Sequence, residues 1–145
     1  MGYCVTMDVS GITLSKENAS AALVAIKDLQ KLPDQMSGGS YSGGEATNKW
    51  YAWVDNRRLE GASTLKDALR AWRYDAYEDV EGNITVESFI GEKLGDDTIL
   101  WKALAPFTSD GTIFCEGEDG SHWKWEIKAG KFKELSGKVV YEDDN

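Results

Sequence analysis

Apolar residues recur with two different periods along the chain, and the changes of period mark out its elements. Tyr3-Cys4-Val5-Thr6-Met7-Asp8-Val9 is a run of strand formers and predicts a first strand. From Ser15 the period becomes helical: Ala19, Ala22, Leu23, Ile26 and Leu29 fall on one face. Ser15 offers an oxygen to the free N–H groups of that helix and Pro33 ends it, so the helix is predicted from Lys16 to Leu32. Residues 36–48, with Ser37-Gly38-Gly39-Ser40-Tyr41-Ser42-Gly43-Gly44, have no period and predict a flexible Gly/Ser-rich loop. Trp50-Tyr51-Ala52-Trp53-Val54-Asp55 predicts a second strand with aromatics on both faces. Thr64-Leu65-Lys66-Asp67 is a capping-box pattern with Asp in place of Glu. It opens a short helix with Leu65, Ala68, Leu69 and Trp72 inward. Arg73 to Glu78 predicts a third strand, which turns through Asp79-Val80-Glu81-Gly82-Asn83.

The stretch Asn83 to Ile127 carries the strongest pattern. Ile84 to Ile90 is β-branched and predicts a strand. Gly95-Asp96-Asp97 then opens a helix with a carboxylate placed to cap it. Ile99, Leu100, Ala103, Leu104 and Phe107 form its apolar stripe and Pro106 fixes its end. Ile113-Phe114-Cys115 and Trp123 to Ile127 flank Glu118-Asp119-Gly120, a hairpin signal. Ala129-Gly130-Lys131 turns into a last strand expected near Val139-Val140-Tyr141, and residues 142–145 form an acidic tail. The order β-α-β-α-β-β-α-β-β-β predicts an α+β fold: a two-layer sandwich, mainly antiparallel, with helices packed on one face. Residues 1–145 fit a single domain.

Charge changes the picture more than composition does. The chain carries a formal charge of −9, which argues against nonspecific binding to DNA or to an anionic membrane. Residues 1–72 hold eight acids and eight bases, whereas residues 73–145 hold seventeen acids and eight bases. Hydrophobic residues make up 41%, with six Trp, enough for a core at this size. No apolar run of membrane-spanning length and no leader pattern occurs, so a cytoplasmic location is expected. Cys4 and Cys115 do not make a disulfide framework and are expected as two free buried thiols.

The candidate chemistry is sparse. The Gly-rich stretch lacks a Gly-Lys-Ser/Thr and the strand–helix context of a phosphate cradle. His122, the single histidine, has no nucleophile motif to serve. The acidic turns at 79–83 and 117–120 do not complete a calcium loop. No catalytic residue, cofactor or metal ligand is therefore expected. Arg57, Arg58, Lys66, Arg70 and Arg73 read as a solvated helix face.

Phe89-Ile90-Gly91-Glu92-Lys93-Leu94-Gly95-Asp96-Asp97, Ala105-Pro106-Phe107, Asp110-Gly111, Gly117-Glu118-Asp119-Gly120 and Trp123-Lys124-Trp125 together resemble a family of small acidic proteins of bacteriophages and bacterial mobile elements. The opening Met1-Gly2-Tyr3 and Gly38-Gly39-Ser40-Tyr41 extend the resemblance over most of the chain. It carries no catalytic residue across. It implies an accessory protein acting in a host cytoplasm.

These readings converge on a non-enzymatic protein that binds a host or bacterial protein complex. The expected role is inhibition of a nucleic-acid-handling or defence complex, in the manner of an anti-CRISPR or DNA mimic. The expected contact residues are Glu92, Asp96, Asp97, Glu116, Glu118 and Asp119, with Trp53 and Tyr41 as aromatic anchors. No direct nucleic acid or membrane partner is expected, and the chain is expected as a monomer or homodimer. The alternative is a small-molecule-binding domain or small enzyme, with a pocket lined by Trp53, Trp72 and Trp101.

Overall fold

The computed structural model describes residues 2–42 and 45–143, without the side chains of residues 41–47. It is an α+β fold built on antiparallel sheets. Strand β1 (Val5–Ser10) leads through a bend at Gly11, whose φ is +77°, into β2 (Thr13–Leu14). Each half of this bent strand joins a different sheet. β1 is the edge of a four-stranded sheet of order β1-β7-β8-β9, and β2 is the edge of a three-stranded sheet of order β2-β6-β5. Here β5 is Tyr74–Glu78, β6 is Ile84–Phe89, β7 is Gly111–Gly117, β8 is His122–Lys128 and β9 is Lys131–Gly137. An antiparallel bridge between Cys4 and Lys93 makes a second link between the strand and loop that leave the two sheets.

Helix α1 (Lys16–Asp28) starts at Ser15, whose Oγ accepts from the Asn18 N–H at 3.2 Å. Leu29–Lys31 continues it as one 3-10 turn, and Pro33 opens another. Helix α2 (Asn56–Gly61) is capped by Asp55, and α3 (Leu65–Ala71) by Thr64, as its capping box predicts. Helix α4 (Asp97–Leu104) runs into a 3-10 turn at Ala105–Phe107, with Pro106 at its start.

One cluster of buried residues draws on both sheets and all four helices, from Val5 to Ile127. Trp72, Trp101, Trp125, Tyr51 and Tyr74 are its largest members. Tyr74 meets the Trp101 ring edge-on at 5.1 Å between centroids. Strand alternation sends Ile113, Cys115, Trp125 and Ile127 into this cluster and leaves Phe114, Glu116 and Lys124 on the opposite face.

Three expectations need correction. The Gly-rich stretch is not a loop throughout: β3 (Gly38–Ser42) pairs with β4 (Glu45–Trp50) as a hairpin with a shifted register at Ser40/Tyr41. Glycine here permits close packing rather than freedom, since a Cβ on Gly38 would lie 2.5 Å from the Trp50 ring. The predicted second strand ends at Trp50, because Tyr51 to Asp55 turns, with Trp53 at φ +66°. The last strand is Lys131–Gly137 rather than Val139 to Tyr141. Ala129 and Gly130, both left-handed at φ +51° and +76°, make a two-residue turn that starts β9 at once.

Candidate functional site

Four of the six expected carboxylates gather where the amino-terminal arm is threaded between two neighbours. On one side Leu94 N–H donates to Tyr3 O at 2.8 Å and Val5 N–H donates to Glu92 O at 3.0 Å. On the other, Glu118 N–H donates to Cys4 O at 2.9 Å, and the Glu118 carboxylate accepts from Cys4 N–H at 2.7 Å. The Tyr3 hydroxyl donates to Asp119, and its ring lies over Gly117, where a Cβ would collide with it. These bonds, with the single bridge of Cys4 to Lys93, fix the arm in place and bring its flanking acids together.

The result is a shallow groove of about 420 Å³ lined by Cys4, Thr6, Glu92, Glu116 and Glu118, among others. Lys93 stands at its edge, its Nζ donating to Cys4 Sγ at 2.9 Å. The Cys4 sulfur, and then the nearby Glu92 and Glu118 charges, hold the Lys93 ammonium above its ordinary value. The Asp119 carboxyl sits below its ordinary range, chiefly through the Tyr3 hydroxyl and then the Ser121 N–H. The Tyr3 phenol is correspondingly raised by Asp119. Trp53 stands near Lys93, outside the lining of the groove. It is 47% exposed, and Gly2 separates its ring from the Lys93 stem, a Cβ there lying 3.1 Å from Trp53 Cζ2 and 3.2 Å from Lys93 Cδ.

The other two carboxylates belong to the framework. Asp96 Oδ2 accepts from Ser37 N–H at 3.0 Å and Ala52 N–H at 2.9 Å, tying two turns to the start of α4. Asp97 is 0% exposed. Its Oδ1 accepts from Gly95 N–H at 2.9 Å and faces Arg73 Nη2 at 3.0 Å, and Tyr74 Oη donates to its Oδ2 at 2.8 Å. Burial raises the Asp97 carboxyl above its usual range against the pull of Arg73. Neither carboxylate caps α4 by a side-chain bond, since both are committed elsewhere. Asp97 is thus unavailable to a partner, contrary to the expectation. Tyr41 offers no test, because its side chain lies outside the described residues.

The tryptophans do not form the alternative pocket. Trp72 and Trp101 are 1% and 0% exposed within the core, while Trp53 stands at the surface. Arg58 and Arg70 are engaged by Asp67 at 3.0 Å and Asp75 at 3.2 Å. Glu116 lies 3.8 Å from His122 Nε2. Among the described residues no group of three or more His, Cys, Asp or Glu is placed to hold a metal ion. No helix among them is long and apolar enough to cross a membrane.

Sequence reasoning missed Tyr3, Cys4 and Lys93. They reach the site through the cross-strand bridge of Cys4 to Lys93, a contact across 89 residues that no local pattern encodes. Comparison with protein-family models, with curated proteins and with solved structures finds no match.

Proposed function

We propose that the protein is a non-enzymatic binding protein whose acidic groove docks on the basic, nucleic-acid-handling surface of a host protein complex and inhibits it. The observation that carries this reading is the convergence of Glu92, Glu116 and Glu118 on one groove, with Asp119 alongside. Among the described residues, no lysine or arginine lies within ion-pair distance of Glu92, Glu118 or Asp119. Not ion-paired, though Glu118 and Asp119 accept hydrogen bonds, these carboxylates keep their charge and present it where a phosphate backbone would otherwise sit. Trp53 supports the reading as an anchor. It is half-exposed beside Lys93 and held in the left-handed region, a conformation that costs a bulky residue roughly 1–2 kcal/mol. The resemblance to phage and mobile-element proteins supports a host complex as the target.

The test is capture from bacterial lysate by the tagged full chain at low and high salt. The reading expects a basic protein or complex, released by salt, and lost with the charge-reversing pair Glu92→Lys and Glu116→Lys. Competition by DNA for the same captured protein is expected. Recovery of nothing at low salt, or equal capture by the reversed variant, overturns it.

A further inference from the structure

We infer that Cys4 and Lys93 form a covalent modification site: oxidation of the thiol by hydrogen peroxide joins the Cys4 sulfur to the Lys93 nitrogen and ties the amino-terminal arm to the loop before α4. The backbone puts the two side chains together. Leu94 N–H donates to Tyr3 O at 2.8 Å and Val5 N–H donates to Glu92 O at 3.0 Å, so Cys4 and Lys93 stand opposite each other between these bonds. Such a non-hydrogen-bonded pair is the position at which facing side chains of an antiparallel ladder come closest. Gly2 narrows the choice further. The Lys93 stem lies beside its bare backbone, where a Cβ would stand 3.2 Å from Lys93 Cδ and 3.3 Å from Cγ. The ammonium is thereby led to the sulfur, with Nζ 2.9 Å from Sγ.

The surroundings select this reaction over the other fates of a thiol. Cys4 is half-buried and lines the groove of about 420 Å³, which admits a molecule as small as hydrogen peroxide. The sulfur attacks one peroxide oxygen and the O–O bond breaks. The departing hydroxide and the thiol proton make water, and sulfur, oxidised by two electrons, is left as the sulfenic acid. A sulfenic acid condenses with a nucleophile in reach. The chain's other thiol, Cys115, is enclosed in the core on the inner side of β7, so an amine stands where a resolving cysteine otherwise would. The lone pair of Lys93 Nζ attacks Sγ, the S–N bond forms and the S–O bond breaks. Hydroxide leaves with the proton that nitrogen gives up, as a second water. The amine attacks in its neutral form. The first cause holding the Lys93 proton above its ordinary value is the Cys4 sulfur itself, and the sulfenic acid no longer carries thiolate charge. An external thiol reverses the step: it attacks Sγ, releases the amine and leaves a mixed disulfide that a second thiol reduces. The inference stands independently of the proposed function, because its readout is the mass of the chain and not capture of a partner.

Hydrogen peroxide added to the folded full chain, followed by intact-mass analysis and tryptic mapping, tests it. The expected product is lighter than the reduced chain by two hydrogen atoms and takes no iodoacetamide at Cys4. Its digest should contain a peptide pair in which Cys4 is joined to Lys93, with no cleavage after Lys93. Dithiothreitol should restore the parent mass. Lys93→Arg keeps the positive charge but supplies a guanidinium, which stays protonated and does not attack. That variant is expected to lose the crosslink and to carry Cys4 on to the sulfinic acid, two oxygen atoms heavier. The same treatment in urea should give no joined peptides, because only the folded register brings the pair together. A disulfide of Cys4 with Cys115 or with a second chain overturns the inference. So does the same mass loss in Lys93→Arg, or a parent chain whose Cys4 passes to the sulfinic acid while trypsin still cleaves after Lys93.

Discussion

Arg73 Nη2 lies 3.0 Å from Asp97 Oδ1, and Asp97 is wholly enclosed while Arg73 keeps a small exposed edge. The pair joins α4 to the residue before β5. Arg73 reaches it from a left-handed backbone at φ +74°, with its guanidinium 5.0 Å over the Phe89 ring. Breaking such a pair on one side strands the other charge. Asp97→Ala is therefore expected to cost about 3 kcal/mol or more in urea unfolding. Replacing both partners with apolar residues, Arg73→Met with Asp97→Leu, is expected to cost less than the sum of the two single changes, because neither charge is left alone.

The same carboxyl sets a pH dependence whose sign runs against habit. Burial raises the Asp97 value in the folded chain above that in the unfolded one. Its contribution is thus fully present below the unfolded value and declines as pH rises through the folded value. The stability difference between the parent and Asp97→Asn should be widest in acid and narrow toward neutral pH. Asp79 runs the other way. The Asn83 N–H, above all, and then the Asn83 side chain and the Glu81 N–H lower its value. Its contribution is present above the unfolded value and lost as pH falls through the folded one, so Asp79→Asn should flatten the acid limb. Urea titrations across the acid-to-neutral range check both directions.

The two thiols should separate cleanly. Both cysteines are free, Cys115 buried and Cys4 half-buried beside Lys93. Burial, followed by the Asp97 and Glu134 charges, pushes the Cys115 thiol up to about 12. Thiolate is the reacting form, so Cys115 should resist iodoacetamide in the folded chain. Intact-mass analysis should show one label per chain under native conditions, at Cys4, and two after unfolding. A second label appearing at the native rate would contradict the burial of Cys115.

The local elements were legible because their signals are local. Ser15, Thr64 and Pro106 mark helix boundaries within a few residues, and the Glu118-Asp119-Gly120 turn lies between the two strands it joins. The misreadings share a different cause. Gly38 and Gly39 form a strand because Trp50 and Lys49 pack against their bare backbone, a condition set by the partner strand. Val139 to Tyr141 has strand propensity but pairs with no strand among the described residues, and the preceding segment, less β-prone, takes the edge next to β8. For the site, the count of acids was readable and their sorting was not. Asp96 and Asp97 are adjacent to each other and near Glu92 in sequence. Asp97 nevertheless turns inward because Arg73 and Tyr74, more than twenty residues earlier, wait there with a guanidinium and a hydroxyl.

Gly95 and Gly61 make opposing predictions from the same substitution. Gly95 lies where α4 begins, and a Cβ there would stand 2.3 Å from the Ala52 carbonyl oxygen and 3.2 Å from Arg73 Nη2. The carbonyl is backbone of the turn that Asp96 holds through the Ala52 N–H, so it has little room to move. Gly95→Ala is expected to destabilise by about 3 kcal/mol, the upper end for overpacking, and to loosen the turn that carries Trp53. Gly61 ends α2 with nothing within 4 Å of its Cβ position and a backbone outside the left-handed region. There alanine removes freedom from the unfolded chain without a clash, and Gly61→Ala is expected to stabilise by about 0.5 kcal/mol. Parallel urea unfolding of the two variants distinguishes them by sign. A neutral Gly95→Ala would mean that the Ala52 turn yields, and that the seat of Trp53 is softer than its bonds to Asp96 imply.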